Sequence, residues 1–378
     1  MTTTIFRPIQ AAVTRGKGAP FVLEQARIRA PEGDEVLVRI IATGMCHTDM
    51  IVRDQYYPVP LPAVLGHEGS GVIEAVGPLV QNLEVGDHVV MTYGYCGHCL
   101  ACDSGHAAYC KDFFGRNFSG AGPDGRNALL DEKGEALHDH FFAQSSFATY
   151  ALGRENNTIR VPKEAPIELL GPLGCGIQTG AGAVINSLKV TPGSAFAAFG
   201  GGAVGLSAVL AAQVAGASTI IVVDVVPSRL ELALELALEL GATHVVNSRE
   251  SDPVAAIREI TGGGVQFALE STGRPEVLRQ AVDALGSRGA LGVVGAPPLG
   301  TNANFDVNDL LLGGKTIRGI VEGDSVPKKF IPELVHLYMQ GKFAFDKLVK
   351  FYDFDQINQA AQDSEKGVTL KPIIRIQK

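Results

Sequence analysis

The chain has 378 residues, 46% hydrophobic and 19% charged, a balance that excludes a disordered polymer and suits an enzyme-sized protein of two domains. Its formal net charge of −8 argues against a nucleic-acid backbone or an anionic membrane as partner, which leaves a small molecule. Residues Met1 to Pro8 hold no basic segment followed by an apolar core, so a cytoplasmic protein is expected, where six cysteines serve better as metal ligands than as disulfides.

From about residue 10 to 95, short β-like runs alternate with Gly/Pro turns: Phe21 to Ile28, Glu35 to Ile41, Gly69 to Val76 and Asp87 to Met91. The pattern predicts an irregular, partly barrel-like β domain. The run from Glu35 leads into Cys46-His47-Thr48-Asp49, a thiol, an imidazole, a hydroxyl and a carboxylate in succession. Gly66-His67-Glu68-Gly69 follows, with glycines that let backbone approach closely. Cys96, Cys99, Cys102 and Cys110 come next, and their two-residue gaps let neighbouring thiolates turn toward one tetrahedral ion. Four thiols exceed what a redox C-x-x-C requires, whereas spacing leaves an iron–sulfur cluster open. A closed four-thiolate site has no position for substrate, so its expected role is structural.

Residues 112 to 145 read as a long Gly-, Asp- and Asn-rich excursion whose His138 and His140 are expected to be solvated. Tyr150-Ala151-Leu152 reads as a return to the β domain. Cys175 then completes a set with Cys46 and His67: two thiolates and an imidazole, which leave a fourth zinc position open.

No charged residue occurs between Lys189 and Asp224, yet Pro192-Gly193 and Gly200-Gly201-Gly202 break this span into a strand, a helix and a second strand. A βαβ unit buried on both faces is expected to be apolar throughout, so a membrane helix is not predicted. Gly200-Gly201-Gly202-Ala203-Val204-Gly205 fits the dinucleotide fingerprint in the right context, between strand and helix, with Asp224 ending the next strand. A carboxylate there favours NAD over NADP, a preference Arg229 could soften. Glu231 to Leu240 repeats every four residues and predicts a helix ended by Gly241. Further strands at Thr243 to Asn247, Val265 to Glu270, Ala290 to Val294 and Thr316 to Ile320 predict a doubly wound parallel sheet, after which the chain returns to the first domain.

Cys46-His47-Thr48-Asp49, Gly66-His67-Glu68, the four cysteines, Cys175 and the glycine fingerprint occur in an order that resembles the zinc-dependent medium-chain alcohol dehydrogenases along essentially the whole chain. Phe113 to Gly120, Ser145 to Ala151 and Arg318 to Pro327 are similar to the aryl-alcohol and geraniol dehydrogenase branch. The resemblance implies an α/β protein with a GroES-like catalytic domain (1–178 and 323–378) and a Rossmann NAD-binding domain (179–322), the active site lying in the cleft. It implies two zinc ions per chain: a catalytic one on Cys46, His67 and Cys175, and a structural one on Cys96, Cys99, Cys102 and Cys110. Asp49 would orient His67, Glu68 would sit behind the metal, and Thr48 would handle the substrate proton. His47 and Lys371 align with pyrophosphate-binding positions and Val294 with a residue bordering the nicotinamide. Thr179, Gly200, Gly201, Gly202, Val204, Gly205, Asp224 and Arg229 complete the expected cofactor contacts.

Two departures stand out. Relatives often end the proton relay on a histidine three residues after Thr48, but here that residue is Ile51, which puts His47, the cofactor ribose or water in its place. The Leu-Ala-Glu repeat also runs about one helical turn longer than usual. The implied reaction is reversible hydride transfer from a primary aromatic or allylic alcohol to NAD, giving the aldehyde. The alternatives are a glutathione-dependent formaldehyde dehydrogenase or other alcohol specificity, and a zinc-stabilised binding protein without turnover. A homodimer or homotetramer is implied. Tyr93 and Phe147 are candidates either to line the substrate pocket or to pack in the core.

Overall fold

The structure is a computed structural model that describes residues 6–226 and 241–377. Arg229 and the Glu231 to Leu240 repeat lie outside the described residues. The chain forms two compact units: one comprises the chain up to Cys175, Val326–His336 and the segment from Val349 onward, the other Gly176–Ser325 and Leu337–Leu348.

The first unit holds two sheets. In the larger, the strands run Thr158–Arg160, His88–Met91, Glu68–Val76, Glu35–Gly44, Lys371–Arg375 and Val349–Asp353, with Tyr150–Arg154 also pairing to Glu35–Gly44. Glu35–Gly44 alternates less than a half-exposed strand because it is covered on both faces, so all but Arg39 and Ile41 of its ten residues are buried. Its pairing with Glu68–Val76 sets Gly44 opposite Glu68, which brings the segment ending in Cys46 beside the one beginning at His67. The second sheet contains Phe6–Thr14 and Val22–Arg29, joined to two short strands, Leu129–Asp131 and Ala136–Leu137. The expected excursion therefore contributes to a sheet, and also forms the helix Phe113–Phe118. Tyr93 and Phe147 are fully buried in the core of this unit. They pack against Phe113 and Phe21 respectively.

The second unit is a six-stranded parallel sheet in the order His244–Asn247, Thr219–Asp224, Ala195–Phe199, Val265–Glu270, Leu285–Val293, Thr316–Gly319. The order reverses between Ala195–Phe199 and Val265–Glu270, and ligands of such sheets bind outside the strand ends at this switch point. Ala195–Phe199 is wholly buried and its charge-free continuation is the helix Ala203–Val214, also buried along most of its length. No helix among the described residues is long and apolar enough to cross a membrane.

Candidate functional site

Cys46 precedes the short helix His47–Arg53, and the Asp49 side chain turns back from its first turn. The Asp49 carboxylate is fully buried and ties two segments together: Oδ2 accepts from the Cys46 backbone N–H at 2.9 Å, while Oδ1 accepts from Gly66 N at 3.1 Å and lies 3.0 Å from His67 Nδ1. Gly66 adopts φ +88°, and a Cβ there would collide with Phe147, so only glycine lets the chain turn this tightly before His67. Cys175 arrives from a third segment, fixed where Thr92 Oγ1 donates to Gly174 O at 2.6 Å.

Ligand atoms of Cys46, His67, Glu68 and Cys175 lie within 4.8 Å of one another. His67 is fully buried; with Nδ1 on Asp49, its Nε2 is left with no well-directed hydrogen-bond partner. A buried, unsatisfied imidazole nitrogen costs free energy unless something binds it, and two sulfurs with one imidazole are the donor set zinc takes. The Cys46 thiol is held well below its ordinary value, first by a hydrogen bond with Cys175 and, against the opposing effect of burial, by the Lys371 ammonium and His67. That favours the thiolate, the form that binds metal.

Lys371, expected at the pyrophosphate, is instead buried in this structure. Its Nζ donates to both Glu68 oxygens, at 2.8 and 3.0 Å, and to Met45 O at 3.3 Å. Glu68 thus belongs to the same cluster, its carboxylate engaged by a cation. His47 is exposed and Thr48 half-buried, with Thr48 Oγ1 3.7 Å from Cys46 Sγ. His140, expected in solvent, is buried against the Asp139 carboxylate, which also accepts from Ala128 N and Leu129 N. His138 is half-buried, its Nδ1 3.2 Å from Gly120 O.

In the cysteine lobe, ligand sulfurs of Cys96, Cys99, Cys102 and Cys110 form a second cluster. All are free thiols, with Cys99 Sγ 3.5 Å and Cys96 Sγ 3.8 Å from Cys102 Sγ. A disulfide needs about 2.05 Å. Four sulfurs at ~2.3 Å from one ion stand ~3.8 Å apart along the tetrahedral edge. A cluster of several irons would spread them farther, so the lobe fits a single ion.

The glycine fingerprint in the second unit leaves a cradle. A Cβ on Gly205 would stand 1.8 Å from Gly200 O, whereas one on Gly202, the residue capping Ala203–Val214, would meet nothing within 4 Å. The first glycine is needed for packing; the second keeps open the space at a helix N-terminus, as an approaching phosphate requires. Asp224 is held by Gly201 N, Val225 N and Val226 N at 2.6 to 2.9 Å. Val294 N donates to Glu270 O at the end of the neighbouring strand, and Thr179 lies on Gly176–Gly182, the helix packed against Ala203–Val214 through Gly180. Gln144 and Phe142, which contact His67 directly, carry no motif and escaped sequence reasoning.

Residues 32–163 match the alcohol dehydrogenase GroES-like domain and residues 203–338 the zinc-binding dehydrogenase domain. Geraniol dehydrogenase from Castellaniella defragrans is 48% identical over 373 residues, covering 98% of this chain and 99% of the relative. Among solved structures, an alcohol dehydrogenase zinc-binding domain protein from Burkholderia ambifaria is 72% identical with a TM-score of 0.97, covering 99% of this chain and all of the other. Benzyl alcohol dehydrogenase from Acinetobacter calcoaceticus is 70% identical with a TM-score of 0.95, covering 98% of this chain and all of the other. The chain belongs to the zinc-dependent medium-chain alcohol dehydrogenases.

Proposed function

We propose that the protein is an aryl- or allylic-alcohol dehydrogenase that transfers hydride reversibly between a benzyl- or geraniol-type primary alcohol and NAD, giving the aldehyde. The observation that carries this reading is the convergence of Cys46, His67 and Cys175 around the unsatisfied Nε2 of His67. When bound there, zinc supplies a Lewis acid that polarises the alcohol oxygen, and NAD supplies the hydride acceptor. Asp49 keeps the proton of His67 on Nδ1, leaving the Nε2 lone pair for the metal. Thr48 takes the substrate proton at Oγ1 and hands it to exposed His47 or to water, because Ile51 cannot titrate; an unchanged pH–rate profile in His47→Gln would remove His47 from that role. Asp224 would accept hydrogen bonds from the adenosine ribose hydroxyls, and the helix N-terminus at Gly202 would hold the pyrophosphate.

In the same reading, the catalytic domain spans 1–178 and 323–378 and the Rossmann domain 179–322, and the cysteine lobe holds the structural zinc. A cytoplasmic homodimer or homotetramer fits the edge strand Thr316–Gly319, whose neighbouring helix Val307–Gly313 exposes Leu311 and Leu312. The test is a panel of benzyl, allylic terpene and short aliphatic alcohols, with and without glutathione, assayed with NAD and NADP. NADH from benzyl and allylic alcohols without glutathione is expected. Turnover only with formaldehyde and glutathione would move the specificity, and no turnover with any alcohol would overturn the dehydrogenase reading.

A further inference from the structure

The segment from Asp139 to Ser146 pays a conformational cost that its sequence does not explain. His140, Phe142, Ala143 and Ser145 all hold φ between +50° and +57°, the left-handed region that non-glycine residues avoid. The backbone is nonetheless pinned at both ends. The Asp139 carboxylate accepts from Ala128 N and Leu129 N, while Ser145 Oγ donates to Val64 O at 2.7 Å and accepts from Phe141 N at 3.0 Å.

This contorted path brings three side chains onto one residue. Phe142 stacks on the His67 ring, centroids 4.5 Å apart and planes inclined by 28°, and Phe141 meets the same ring edge-on at 5.2 Å. Gln144, also buried, grips the backbone: Nε2 donates to His67 O at 2.9 Å, and Oε1 accepts from Gly69 N at 3.0 Å. Asp49 alone fixes one atom of the imidazole, about which the ring could still swing. A stacked face and two clamped peptide groups remove that freedom.

We infer that Phe142 and Gln144 are positioning residues for the metal centre: the strained segment exists to hold the ring and backbone of His67 so that Nε2 meets Cys46 and Cys175. The inference rests on the reading of His67 as a zinc ligand. Outer partners that orient a metal-bound histidine commonly change metal affinity 10- to 100-fold.

The test follows zinc release from the full-length, zinc-loaded protein into excess dipicolinate with a colorimetric zinc indicator. Phe142→Leu and Gln144→Met should release one ion per chain at least about tenfold faster than the unsubstituted protein, with the second ion unaffected. Phe142→Tyr, which keeps the ring, should restore the slow rate. In cobalt-substituted protein, Phe142→Leu should also shift the visible ligand-field band of the Cys46, His67, Cys175 site. Unchanged release in Phe142→Leu, where His67→Ala binds only one ion, would overturn the positioning role. Two ions retained by His67→Ala would overturn the ligand reading instead. Loss of both ions in step with a lowered melting temperature would also overturn the inference, by making the effect a general loss of fold.

Discussion

The two metal clusters are built in opposite ways. The cysteine lobe draws all four donors from Cys96 to Cys110, among exposed neighbours such as Tyr109 and Leu100. The other cluster draws on three segments, with His67 lying 21 positions after Cys46 and Cys175 a further 108 on. Its donors are positioned by a buried carboxylate, a sheet register and a stacked aromatic ring. In the lobe the four donors lie within fifteen residues, so an ion bound there would staple one short segment and add its binding energy to folding. At the Cys46 cluster the fold organises the donors, so the ion's contribution goes into chemistry and one coordination position can stay free for substrate.

That contrast can be broken most sharply at its two centres. Cys46→Ser should reduce kcat by at least about a thousandfold, since Lewis-acid stabilisation is worth several kcal/mol, yet leave one zinc per chain and a nearly unchanged melting temperature. Steady-state kinetics, metal analysis and calorimetry on one preparation decide it; equal losses of activity and stability would erase the distinction. Cys99→Ser should do the reverse. Losing a structural staple costs roughly 3 kcal/mol, about 10 °C in melting temperature for a domain of this size, with residual turnover measurable well below the transition.

Asp49→Asn sharpens the comparison from the side. It removes the negative charge that holds His67 Nδ1–H, and should lower zinc affinity at the Cys46 cluster by 10- to 100-fold without touching the lobe, as competition with a chelator would measure. The smallest effect lies farther along the same two strands, where Arg39 Nε donates to Glu74 Oε1 at 2.8 Å. That hydrogen bond first, and the Arg39 charge, hold the Glu74 carboxyl below its usual range. A lowered folded value means the pair stabilises fully above the ordinary carboxylate range near ~4.3 and stops doing so as pH falls through the folded value. Glu74→Gln should therefore cost at most about 1 kcal/mol at neutral pH, and the gap to the unsubstituted protein should close in acid denaturation.

How legible the molecule was follows from where each signal resides. Val265–Glu270 matches its predicted bounds residue for residue, because Gly262 to Gly264 and Ser271 to Gly273 punctuate it on either side. Leu285–Val293 starts five residues earlier than expected, since Gly286, Ser287, Arg288 and Gly289 do not read as strand. Lys371–Arg375, with a proline and two charges in five residues, was likewise invisible as a strand, although it sits inside a sheet. The clustered cysteines and His67 stood out by residue type and spacing. Their supports did not: Gln144 reaches His67 across 77 positions and Lys371 reaches Glu68 across 303, and nothing local in either sequence registers such a partner. His140 misled for the same reason, because its burial depends on Asp139 being fixed by Ala128 and Leu129.

The placement of Lys371–Arg375 has a consequence for biogenesis. It pairs with Glu35–Gly44 on one side and Val349–Asp353 on the other, so the larger sheet of the first unit is unfinished until the chain has left the ribosome past Arg375. The parallel sheet of the second unit, contiguous from Ala195 to Gly319, can close first. For that interval Ala42–Gly44, the end of the strand that Tyr150–Arg154 does not cover, lacks its neighbour, and Glu68 awaits its cation. The surroundings of the Cys46 cluster are therefore completed late in synthesis, when the stretch that closes the sheet brings Lys371 to Glu68.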